Sequence, residues 1–64
     1  MNNQINAKIV SIRSEANRFS TMAIETSFQG LASWYRRKSR TATMRANRIE
    51  ALLANGRIKE AFAA

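Results

Sequence analysis

The chain has no cysteine, no histidine, no proline and no aspartate, and it has only two glycines in 64 residues. Without cysteine there is no disulfide and no zinc–thiolate site. With histidine also missing, the commonest general base and the strongest nucleophile are both absent. The four acids, Glu15, Glu25, Glu50 and Glu60, lie far apart in the sequence, and no glycine-rich loop is available to cradle a phosphate. A non-enzymatic protein is therefore expected, with no catalytic residue, no metal, no cofactor and no small-molecule substrate. The lack of proline and scarcity of glycine argue against a linker or low-complexity segment. Long apolar runs are missing too. The longest stretch without a charge, residues 26–35, has ten residues, against the ~20 that a membrane-spanning helix needs. The opening MNNQINA has neither the basic n-region nor the apolar h-region of a signal peptide. The expected location is intracellular, in the cytoplasm or inside a particle assembled there.

Large apolar side chains are also few. The hydrophobic fraction is 45%, but 11 of those residues are alanine. A single core in this size range rarely supplies more than ~3–5 kcal/mol, and small scaffolds usually carry a staple. With the usual staples excluded, a partner is expected: another copy of the chain, a nucleic acid or a larger assembly.

What is present is alanine, arginine and an uneven charge. An alanine-rich, arginine-rich and proline-free chain reads as mostly helix. Lys and Arg together number 11 against four acids, a formal net charge of +7. Residues 31–48 hold Arg36, Arg37, Lys38, Arg40, Arg45 and Arg48 with no acid among them, whereas the flanking segments are close to neutral.

The first third has a helical signal. Ile5, Ile9, Ile12, Ala16, Phe19, Ala23 and Thr26 step by alternating fours and threes, the a/d seam of a heptad helix, and the charged residues of this segment lie off it. Asn2 or Asn3 suits its N-cap. Val10, Met22 and Ile24 lie beside the seam and widen its apolar face. The seam has two readings. It packs on this chain's own second helix in a hairpin, or it self-associates or docks on another chain.

A break is expected at Ser27-Phe28-Gln29-Gly30, where Gly30 can adopt a left-handed helix cap; the alternative is a continuous helix through Gly30 at a cost of ~1 kcal/mol relative to alanine. A second, basic helix follows over residues 31–54, with Leu31, Tyr35, Ala42, Ala46, Ile49 and Leu53 as its apolar stripe and a gap at Lys38 and Ser39. Asn55-Gly56 is the strongest stop in the chain. A short third helix over residues 57–64 places Ile58 and Phe62 one turn apart, able to fold back on Leu52 or Leu53. The expected fold is all-α and a single small domain: a long amphipathic heptad helix over residues 1–29, a basic helix and a short C-terminal helix, arranged as a hairpin or as extended helices. Phe28-x-Gly30-Leu31-x-x-Trp34 leading into the arginine run is similar in composition to small arginine-rich bacterial proteins of the YjiS type. The likeness covers about half the chain, lacks the acidic and Ile-Gly-Leu ending of that group, and assigns no role to any residue.

The six cations of residues 36–48 are the most informative feature. At 100° per residue they point in many directions, and no glutamate is interleaved one turn away to neutralise them. An anionic partner relieves that crowding, and a phosphate backbone is the commonest one because neutralising it releases counterions. Trp34 and Tyr35 stand directly before the run, either as packing residues or as candidates for stacking on an unpaired base. The expected function is phosphate binding on RNA or DNA with little sequence specificity. Two alternatives use the same features: a structural accessory subunit of a virion or ribosome-like assembly, and a small inhibitor of an acidic protein surface.

Overall fold

The computed structural model describes residues 2–64, with the side chain of Asn2 left out. Three helices account for nearly all of it: α1 (Asn2–Glu25), α2 (Gln29–Ala54) and α3 (Ile58–Ala63). No strand occurs among the described residues. Helices α1 and α2 pack side by side as a hairpin, so the hairpin form of the two expected arrangements is the one adopted. The molecule measures 43 × 15 × 14 Å.

The heptad seam of α1 is the face that packs. Ile5, Ile9, Ile12, Ala16 and Ala23 are buried, and Phe19 and Thr26 are half-buried. The matching face of α2 is Ala32, Tyr35, Ser39, Ala42, Ala46, Ile49 and Leu52, again spaced by threes and fours. Three corrections to the expected stripe follow, the first being that Leu52 takes the buried position expected of Leu53, which is half-buried. Ala32 takes the inward position, and Leu31 remains 42% exposed. Ser39 closes the gap in the stripe by donating its hydroxyl to the Ala16 carbonyl oxygen at 2.8 Å. A seam this rich in alanine and serine lets the two axes approach closely. Val10, Met22 and Ile24 do not widen the packed face: they are 63%, 41% and 83% exposed.

The larger apolar side chains gather at the end away from the turn. Ile5, Ile9 and Ile12 of α1 meet Ala46, Ile49 and Leu52 of α2 and Ala61 of α3 there. Ile58 packs against this cluster as expected, but the α3 residue with no exposed surface is Ala61, while Phe62 is 39% exposed. Lys8 Nζ ties α1 to α3 through the Phe62 carbonyl oxygen at 2.9 Å. Arg13 holds the two long helices together by donating to Asn47 Oδ1 and to the Glu50 carboxylate. Pairs this exposed contribute under about 1 kcal/mol each.

The break falls at the start of the expected segment, and Gly30 does not form the expected left-handed cap. Helix α1 ends at Glu25, residues 26–28 form the turn, and Gly30 sits inside the first turn of α2. The cause is local. The Phe28 N–H donates to Thr26 Oγ1 at 3.3 Å, an alternative to continuing the helical ladder. Phe28 is extended (φ −96°, ψ 115°), and its carbonyl accepts the Ala32 N–H at 2.9 Å to start α2. Gly30 has no left-handed backbone and sits in the helix like any other residue.

The Asn55-Gly56 stop is found as expected. Gly56 has φ 74°, its N–H donates to Leu53, and the Arg57 N–H donates to Leu52 at 2.9 Å. That pair of bonds is a Schellman cap with glycine at C′. At the other end of the chain, Asn3 lies within α1 rather than capping it, and the Asn2 side chain is outside the described residues.

Candidate nucleic-acid interface

Arg36, Arg37, Lys38, Arg40, Arg45 and Arg48 all project from α2, and all six are exposed. They follow from the seam. With Ala32, Tyr35, Ser39, Ala42 and Ala46 turned inward, every intervening position faces solvent, and arginine or lysine fills six of those between residues 36 and 48. The helical rise spreads them over about 18 Å.

Their partners within the chain are few. The two ion pairs among the described residues are Arg13 with Glu50 and Arg57 with Glu60, and neither uses a cation of this group. Arg45 Nε donates to the Ala64 carbonyl oxygen at 3.0 Å, which places its guanidinium beside α3. The Lys38 ammonium stands 5.3 Å from the centroid of the Trp34 ring. Arg36, Arg37, Arg40 and Arg48 make no hydrogen bond and no ion pair among the described residues. Like charges one turn apart, such as Arg36 with Arg40 or Arg37 with Arg40, repel each other along the helix.

The two aromatic candidates separate. Tyr35 is half-buried in the seam and stacks on Phe19 of α1, centroids 6.1 Å apart and planes 29° apart. Trp34 sits one residue off the seam and is 42% exposed. It touches the same pair edge-on, Phe19 at 6.1 Å and 88°, and Tyr35 at 5.3 Å and 67°. Adjacent in sequence, the two residues differ by 100° around the helix.

The seam residues Ile5, Ile9, Ile12, Ala16, Phe19 and Ala23 face α2 of the same chain. The register set by Ser39 on Ala16 brings Arg18 level with Arg37 and Glu15 level with Arg40. Over the stretch that faces residues 36–48, α1 carries Lys8, Arg13 and Arg18 against Glu15, so it adds to the positive charge, but the larger share belongs to α2. Sequence reasoning assigned Ile24 and Leu31 to packed faces and missed that, with Phe28, they form an exposed apolar patch at the turn. Ile24 (83% exposed), Phe28 (71%) and Leu31 (42%) surround the turn, and the signal for them was their position next to the helix break. No group of acidic residues among those described is placed to hold a metal ion, and no described helix is long and apolar enough to cross a membrane. Compared with known protein families, curated proteins and solved structures, the chain matches none.

Proposed function

We propose that the protein binds nucleic-acid phosphates through α2, with little sequence specificity. One observation carries the reading: six exposed cations from Arg36 to Arg48 with no acid among them, four of which have no hydrogen-bond or ion-pair partner in the described chain. Five of the six are arginine, whose planar fork matches phosphate bidentately. Spread over about 18 Å of helix, they suit a repeating row of charges better than a single anion. Phosphate contacts fix position and carry no base information, which is why sequence specificity is low.

The test is salt-dependent binding to a duplex DNA and to a single strand. Six phosphate contacts lower duplex affinity about 10³-fold between 50 and 200 mM salt. Changing Arg36, Arg37, Lys38 and Arg40 together to Gln removes most of that dependence. Unchanged affinity in this variant would refute the reading.

A second reading, an accessory subunit of a larger assembly or a ligand of an acidic protein surface, is favoured by the exposed apolar turn of Ile24, Phe28 and Leu31. Helicity that depends on protein concentration or appears only with a partner supports it. A cooperative melt independent of concentration at micromolar levels counts against it.

A further inference from the structure

We infer that Trp34 is a stacking platform for an unpaired base, so that the α2 surface takes single strands in preference to duplex. The inference rests on the phosphate-binding reading and adds the part of the ligand that phosphates do not supply.

Trp34 is the chain's single tryptophan, and it is held rather than buried. Phe19 and Tyr35 brace it edge-on from the hairpin side, which fixes the indole without using up its exposed surface. Tyr35 and Phe19 already fill the seam at this level, so packing does not require an exposed indole one position further round the helix. The indole borders a shallow cleft of about 340 Å³ whose other walls are Arg37, Lys38 and Thr41, one and two turns along. That volume lies at the small end of the range of ligand sites. The cleft is open on its outer side, so a flat group can lie against the indole with Arg37 and Lys38 beside it.

The Lys38 ammonium lies over the ring at 5.3 Å, a cation–π contact that covers part of a face left 42% exposed. An exposed cation–π contact is weaker than base–aromatic stacking. A base therefore displaces the lysine stem, and the freed ammonium swings to the adjoining phosphate. Arg37, one turn from Trp34, reaches the phosphate on the other side. A duplex cannot use the same platform, because its bases are already stacked on each other.

The experiment uses the full chain and two oligonucleotides with equal phosphates: a ten-nucleotide oligothymidylate and an abasic strand of the same length. Fluorescence excited at the red edge, beyond tyrosine absorption, reports Trp34, the single tryptophan, and not Tyr35. The expected result is quenching by the thymidylate and none by the abasic strand, with tighter binding of the former. Trp34→Ala lowers affinity for the thymidylate about tenfold and leaves the abasic strand unchanged, whereas Trp34→Phe keeps most of the difference. Circular dichroism confirms that each variant is helical, and the wild-type comparison needs no variant. Equal affinity for both strands without quenching overturns the stacking platform and leaves phosphate binding standing. Failure of both strands to bind at 50 mM salt overturns both.

Discussion

Ala46 has no exposed surface and lies in the cluster where Ile5, Ile9 and Ile12 meet Ile49 and Leu52. A larger side chain there has no space without pushing the helices apart. Ala46→Leu is expected to destabilise by about 1–3 kcal/mol through overpacking, and Ile49→Ala by about 2–5 kcal/mol through the cavity it leaves. Urea melts followed by circular dichroism measure both. For a chain whose whole core supplies only ~3–5 kcal/mol, the second change approaches complete unfolding. The two glycines respond in opposite directions. Neither would bring an added Cβ within 4 Å of another group, so sterics do not distinguish them. Backbone does. Gly56→Ala forces a side chain into the left-handed region at φ 74° and costs about 1–2 kcal/mol. Gly30→Ala sits in a helix and stabilises by up to ~1 kcal/mol. A thermal melt in which both variants moved the same way would contradict these backbone assignments.

At the scale of elements, α2 combines a seam that wants to pack with a row of like charges that resists helix formation. Arg37→Glu places an acid one turn before Arg40 and, in the hairpin register, level with Arg18, and replaces two repulsions with attractions. Stability is expected to rise by about 0.2–0.5 kcal/mol per pair, while affinity for nucleic acid falls. A variant in which both quantities fell would contradict the idea that the row is held for a ligand and not for the fold.

The seam of α1 was legible because its inward positions include isoleucine and phenylalanine, which contrast with the polar residues between them. The seam of α2 was only half legible, because Ala32, Ser39, Ala42 and Ala46 give little hydrophobic contrast, and Leu31 drew the reading one residue off. The Asn55-Gly56 stop was readable because a left-handed backbone needs glycine there. The turn was legible to within a residue or two, but Gly30 was read as its cap because the bond from the Phe28 N–H to Thr26 is a signal that a nearby glycine outweighs in a sequence. Among the candidate site residues, the cations could be read as exposed once helix was assumed. The division between Tyr35 and Trp34 could not, since it depends on which of two neighbours falls on the seam.

At the scale of the whole molecule, the net charge of +7 on a 64-residue chain works against compaction. The melting temperature is expected to rise with added salt as the α2 cations are screened. A nucleic acid that binds the folded chain and not the unfolded one stabilises it by about 2.7 kcal/mol at a concentration of 100 Kd. At about 4–8 °C per kcal/mol for domains of this size, that is a rise of about 10–20 °C. A melting temperature that stays flat with saturating oligonucleotide would mean that the ligand does not distinguish folded from unfolded chain.

The hairpin is a rod 43 Å long, yet the cations from Arg36 to Arg48 occupy about 18 Å of it. A molecule lying along a polynucleotide would therefore shadow more than twice the length it neutralises. Laid end to end in that way, successive molecules would keep their charged zones apart, and a fully loaded strand would keep gaps of bare phosphate. Such a coating leaves the polymer negatively charged and open between its footholds.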